Sequence, residues 1–174
     1  VKMRRFAQQD QLDRVLARGC LDSQQLASFA SMIARVHQAA AVSDVGQPYG
    51  TPQSIIEPVI ENFSQIRSLL SATKCHQLGE LEEWSRRSHD ELHGLLQQRK
   101  RDGFIRECHG DLHLANMAWI DEEPILFDCI EFNENLRWID VINDIAFLVM
   151  DLDDRGQKKL AWSFLNHYLQ ATGD

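Results

Sequence analysis

At Phe104 the apolar pattern of this chain changes period, and that change decides the fold class. Upstream, apolar residues recur three and four apart, the spacing of one face of an α-helix. From Phe104 they gather instead into runs of strand length, 104–108, 117–120 and 125–127. Beyond Ile139 the helical spacing returns. The pattern predicts an α+β fold that is mainly α, a helical body with one small β-hairpin set into it. With 174 residues, 44% of them apolar, the chain can bury one sizeable core, so residues 1–174 are expected to form a single domain.

Within the helical part, Asp10 is placed to cap a short helix through Leu16, with Gly19 in the position expected after a helix C-terminus. Ser23 is the expected cap of a second helix, whose stripe Leu26, Phe29, Ala30, Ile33, Val36 and Ala40 should be buried. Gly46, Pro48, Gly50 and Pro52 mark an irregular loop, after which Val59, Ile60, Phe63, Ile66 and Leu70 resume the helical period. A long helix is expected from His76 to Arg101, with Leu78, Leu81, Trp84, Leu92, Leu95 and Leu96 inward and Asp102-Gly103 as its stop. Arg99-Lys100-Arg101 reads as the solvated end of that helix. Two closing helices are expected from the stripes Ile139, Ile142, Ile145, Ala146, Val149, Leu152 and Leu160, Phe164, Leu165, Tyr168, Leu169. Trp119, Trp138 and Phe147 read as core.

Between the first two strand-like runs lies His109-Gly110-Asp111-Leu112-His113-Leu114-Ala115-Asn116, a polar loop between apolar neighbours. Asp121-Glu122-Glu123-Pro124 suits a four-residue hairpin connection. Pairing Ile120 with Ile125 puts Met117 opposite Asp128 and Asn116 one step further along, beside Asp128. Cross-strand Cβ atoms stand about 5 Å apart, close enough for the Asn116 carboxamide oxygen and the Asp128 carboxylate to share one hard divalent cation. Asp111, just before the hairpin, supplies a second carboxylate. Phosphoryl transfer uses such a division of labour: one group orients and deprotonates the attacking hydroxyl, while metal ions neutralise the phosphate oxygens. Asp111 suits the first task, Asn116 and Asp128 the second.

Charge and cysteine usage narrow the context. A net charge of -8, from 18 basic and 26 acidic residues, argues against a nucleic-acid surface and fits a cationic small-molecule acceptor among others. Cys20, Cys75, Cys108 and Cys129 have neither metal-ligand spacing nor the density of a disulfide scaffold, so a reducing cytoplasm is expected. No apolar run approaches the roughly 18 residues that span a bilayer, and no membrane partner is expected. The chain opens on Val1, inside what reads as the end of a strand, as if cut from a longer protein.

His-x-Asp-x-x-x-x-Asn, followed by a hairpin and an Asp, resembles the catalytic loop and metal-binding Asp of kinases. The loop from His109 to Asn116 is more similar still to that of the aminoglycoside phosphotransferases, which reads His-Gly-Asp-Leu-His-x-x-Asn. The family's Asp-x-x-x-Asp-Leu-Ala helix opening has its counterpart in Asp140 to Ala146, with Ile145 in place of Leu. Its Leu-x-x-Leu-His corresponds to Ile33-Ala34-Arg35-Val36-His37. The resemblance therefore covers most of the chain, and it implies the C-terminal lobe of the protein-kinase-like fold, carrying a small catalytic β-hairpin and beginning at the hinge. It implies that the N-terminal lobe is absent and that this piece is inactive alone.

The same resemblance implies Asp111 as the catalytic base and Mg2+ held by Asn116 and Asp128. ATP, or GTP, is the implied donor, with adenine meeting backbone near Met3 and the phosphates meeting Asn116 and Asp128. His109, His113, Asp140 and Asp144 are implied structural supports, and the acceptor is a hydroxyl on a small polar molecule. Lys2 does not fit the phosphate-binding lysine, since no Gly-rich loop precedes it and no Glu-bearing helix follows. Cys129-Ile130-Glu131 departs from the residues that usually follow the metal Asp. Two further readings stand beside this one. His109, Asp111 and His113 on one extended face would suit a zinc or iron hydrolase. The fold would also serve as a non-catalytic binding platform.

Overall fold

The computed structural model describes residues 6–174, apart from the side chains of Ala72 and Thr73. Met3, and with it the adenine contact expected there, lies outside the described residues. The chain divides into two compact units. One takes the chain up to Ala41 together with Arg106–Asp174; the other is Val42–Ile105.

In the first unit a 3-10 turn, Gln8–Asp10, leads into α1 (Leu12–Ala17). Asp10 does not cap α1. The cap position is Gln11, whose side chain instead donates from Nε2 to Ala115 O at 3.2 Å. The next helix, α2 (Ser23–Ala39), is capped by Asp22 rather than Ser23. Asp22 Oδ1 accepts from Gln25 N at 2.8 Å while Gln25 Oε1 accepts from Asp22 N at 3.1 Å, so two otherwise orphaned amides are satisfied reciprocally. The buried face of α2 is Leu26, Phe29, Ala30, Ile33, Ala34 and His37, whereas Val36, expected inside, is 47% exposed. The stripe turns by one residue because His37 finds two polar partners in the core. Helix α2 packs on α7 (Lys158–Thr172), which packs on α6 (Val141–Asp154), and Phe29, Leu148, Phe164 and Tyr168 are fully buried among them.

Strands β1 (Ile105–Glu107) and β2 (Met117–Ile120) fall within the expected runs, and β3 (Glu123–Leu126) starts two residues early. A fourth strand escaped the periodicity: after one turn of helix, α5 (Glu134–Arg137), β4 (Trp138–Asp140) pairs with β1, so Ile139 belongs to a strand and not to a helix. The hairpin register also differs, with Met117 opposite Leu126, not Asp128, and Ile120 opposite Glu123. Its connection is two residues long. Asp121 (φ 51°) and Glu122 (φ 64°) both adopt the left-handed conformation of a type I′ turn, whose twist matches that of the strands. Pro124 then lies in β3 opposite Trp119, tolerable because among the described residues β3 pairs with β2 alone. A slip of two residues keeps each side chain on its expected face. Trp119 is half-buried and packs on the edge of the core against Phe29, whereas Trp138 is half-buried and Phe147 37% exposed, so those two are not core.

The second unit is built on α3 (Pro52–Arg67) and α4 (Ala72–Arg101). Helix α4 begins four residues before His76 and runs for 30 residues. With the shorter α3 as its packing partner it cannot bury a full stripe. Leu78 is buried, but Leu81, Trp84, Leu92 and Leu95, expected inward, are about half exposed. Its basic end is not simply solvated either. Lys100 is 6% exposed, donates to Gln47 O and Tyr49 O, and has its pKa lowered by burial. No helix among the described residues is long and apolar enough to cross a membrane, and the four cysteines are free.

Candidate active site

Strand β1 delivers the chain into the loop 108–116, and β2 carries it away. Along the loop Leu112 and Leu114 are fully buried and Asn116 is 7% exposed, while Asp111 and His113 are half-buried. Each buried leucine contributes about 1.5–3 kcal/mol. These anchors hold the loop down and leave the polar side chains between them presented.

Asn116 ends a single 3-10 turn, Leu114–Asn116, that His113 caps: His113 Nδ1 accepts the Ala115 N–H at 3.2 Å. Asn116 Nδ2 donates to Asp111 twice, to its backbone oxygen at 3.0 Å and to Oδ2 at 3.1 Å. His113 Nε2 lies 3.3 Å from the same Oδ2. Because His113 Nδ1 is an acceptor, a neutral ring carries its proton on Nε2 and donates it to Asp111. One oxygen of Asp111 is therefore held by two donors, and Oδ1 is left for another partner. Asn116, its amide nitrogen spent on Asp111, has its carbonyl oxygen to offer.

Asp128 stands just past the hairpin. Phe127 N donates to Asn116 O at 3.1 Å, so Asp128 directly follows the cross-strand partner of Asn116. It is exposed, with φ 60°, a left-handed conformation costing an aspartate about 1 kcal/mol or more. Asp111, Asn116 and Asp128 all present hard oxygen donors, the set that suits magnesium and not a soft transition metal.

His109 is turned to other work. Its Nδ1 accepts the Asp111 N–H at 3.3 Å, which places the ring proton on Nε2 for donation to Phe127 O at 2.9 Å. Both nitrogens are spent on backbone, so His109 has no lone pair for a metal, and the three-ligand arrangement with Asp111 and His113 is not formed. Gly110 and His109 also donate their backbone N–H groups to Asp144, at 2.8 Å to Oδ1 and 3.3 Å to Oδ2. Asp144 is completely buried and takes a third bond from His37 Nε2 at 3.0 Å, while His37 Nδ1 meets the Tyr168 hydroxyl at 2.8 Å. Asp140 Oδ1 accepts from Ile142 N at 2.9 Å and caps α6.

His37, Cys108 and Asp144 place ligand-type atoms within 4.8 Å of one another. Burial foremost, then the negative charges of Asp144 and Asp140, push the Cys108 thiol well above its ordinary range and keep it protonated. His37 and Asp144 within it are joined by hydrogen bonds to Tyr168, Gly110 and His109, so the group is a hydrogen-bonded support. The sequence places His37 in a family motif with no role attached and Tyr168 in an apolar stripe. A histidine on an otherwise apolar helix face was the available signal.

Gly110 has φ 83°, and a Cβ there would stand 2.6 Å from Leu136 O. Gly110→Ala is expected to cost about 2–4 kcal/mol, from the backbone conformation and the collision together. Thermal unfolding of the variant beside the parent checks this, and a loss under 1 kcal/mol would contradict the described loop geometry.

A family model described as the phosphotransferase enzyme family matches residues 7–174. This chain belongs to that family. Two uncharacterized proteins, Rv2004c of Mycobacterium tuberculosis and Mb2027c of Mycobacterium bovis, are each 30% identical to it over 177 residues, covering 100% of this chain and 35% of their own length. The chain thus spans about a third of the length of these curated relatives. No solved structure matches it. The family carries a kinase-like fold, in keeping with the mostly helical body and its small sheets.

Proposed function

We propose that the chain is the catalytic-loop side, equivalent to the C-terminal lobe, of a kinase-like enzyme that moves the γ-phosphoryl group of ATP, or GTP, to a hydroxyl of a small polar molecule. The observation that carries this reading is the treatment of Asp111, whose Oδ2 is fixed by Asn116 at 3.1 Å and His113 at 3.3 Å while Oδ1 remains open to an incoming hydroxyl. In the reaction the hydroxyl proton passes to Asp111 as its oxygen bonds to phosphorus. The bond from phosphorus to the bridging oxygen of the departing nucleoside diphosphate breaks. Asn116 Oδ1 and the Asp128 carboxylate would hold magnesium, which neutralises charge on the phosphate oxygens. Asp144, His109 and His37 keep the loop in place. The acidic balance of the chain, -8, suits a cationic acceptor, and its free cysteines suit a reducing cytoplasm.

The test is transfer of radiolabelled γ-phosphate from ATP by the full-length protein, with magnesium and with chelator, across a panel of hydroxyl and amine acceptors. A magnesium-dependent, acceptor-dependent product is expected. Nucleotide binding with no transfer to any acceptor would favour the non-catalytic platform, and absence of binding would remove the site assignment itself.

A further inference from the structure

We propose that Asp151 is a positioning residue for Asn116, acting through the amide of Leu114; the inference rests on the phosphotransferase reading above. Helix α6 grips the loop at two places. Asp144 holds the amides of His109 and Gly110 at its start, and Asp151 Oδ2 accepts from Leu114 N at 2.9 Å near its end. The two carboxylates are seven residues apart, so they lie on one face of the helix about 10 Å from each other along its axis.

Leu114 opens the turn that ends in Asn116, and the first amides of such a turn have no partner within it. Leu114 is 0% exposed, so water cannot supply one. Asp151 supplies it, and its own orientation is fixed in turn, because Oδ1 pairs with Arg155 Nε at 2.6 Å. Arg155 is 41% exposed, and an ion pair in that setting adds little stability. Its effect is geometric: with Arg155 on one oxygen, the other points at Leu114. Gln11 Nε2 holds Ala115 O at 3.2 Å and His113 Nδ1 holds Ala115 N. The backbone ahead of Asn116 is thus pinned at three polar groups, Leu114 N, Ala115 N and Ala115 O, and the side chain that bridges to Asp111 has little freedom to choose another rotamer. A carboxylate that merely filled a buried amide would affect stability alone. One that positions Asn116 also sets how well the site holds its cation.

The experiment uses the full-length protein with two readouts that need no turnover: amide hydrogen exchange at Leu114 and Ala115, and Mn2+ binding in the presence of ADP followed by electron paramagnetic resonance. Asp151→Ala should speed exchange at Leu114 and raise the Mn2+ concentration for half occupancy about tenfold, as removal of a ligand's support does. Asp151→Asn keeps one acceptor oxygen, which serves Leu114 N only by turning its NH2 toward Arg155, so it should restore slow exchange at Leu114 and leave the Mn2+ requirement near that of Arg155→Ala. Arg155→Ala, which leaves the loop contact but frees its orientation, should raise the Mn2+ requirement about threefold, and it decides the matter if Asp151→Ala does not fold. A lowered melting temperature with unchanged Mn2+ binding in these variants would overturn the positioning role and leave the phosphotransferase reading standing. If the unaltered protein binds no Mn2+ with ADP, both fall together.

Discussion

Full-length protein carrying Asp111→Asn should lose phosphate transfer by about 10²- to 10⁴-fold in kcat, the range that a positioned general base contributes. The substitution isolates one property. Asparagine is close in size to aspartate, and its carbonyl oxygen can still accept from Asn116 Nδ2 and His113 Nε2, which lie 3.1 and 3.3 Å from Oδ2 in the parent. The loop should therefore keep its shape. What disappears is the basic oxygen that would take the hydroxyl proton. Asp111 is 44% exposed at its side chain, so the folding stability should move by no more than about 0.5 kcal/mol. The expected signature is a fall in kcat with nucleotide binding and melting temperature nearly unchanged, measured by initial rates and calorimetry on the same preparation. Retained activity would show that Asp111 does not take the proton, whatever else the loop does.

Legibility of this molecule in its sequence followed the length scale of the interaction. Local signals worked for the loop and for most helices, since period and turn chemistry act between near neighbours. The runs that became β1 and β2 were visible for that reason. Failures came where a distant residue decides. Helix α2 turns His37 inward in place of Val36 because Asp144 and Tyr168, 107 and 131 residues away, offer it hydrogen bonds. Gln11 gives up capping α1 to reach Ala115. Strand β4 is three residues long and exists only by pairing with β1. The hairpin register differs for another reason: Asp121 and Glu122 both take positive φ, which an aspartate tolerates but a glutamate does not advertise. The loop residues are legible by their spacing and Asp144 through the family resemblance, but Asp151 is not, because it looks like an ordinary helix carboxylate until the buried amide it serves is seen.

That support carries the largest expected effect on stability. Asp144→Ala should destabilise the protein by about 3–5 kcal/mol, the cost of breaking a buried polar pair from one side. Three donors lose their acceptor at once: His37 Nε2 at 3.0 Å, Gly110 N at 2.8 Å and His109 N at 3.3 Å, all around a carboxylate that is 0% exposed. Domains of this kind are stable by only about 5–15 kcal/mol, so the alanine variant should sit near the edge of folding. Asp144→Asn should be milder, at about 1–3 kcal/mol, since its oxygen can serve one backbone amide. Its NH2 would face His37 Nε2–H, donor against donor. The ring can answer by moving its proton to Nδ1, because the Tyr168 hydroxyl, 2.8 Å away, accepts as readily as it donates. The histidine and tyrosine together thus form a reversible end to the chain of bonds, and the asparagine should be partly rescued by it. Tyr168→Phe placed on top of Asp144→Asn removes that escape, so the double variant should lose more than the two single variants added together. Chemical unfolding of the four proteins measures the coupling. Simple additivity would mean that His37 does not invert and that Tyr168 is no more than a large apolar side chain in the core.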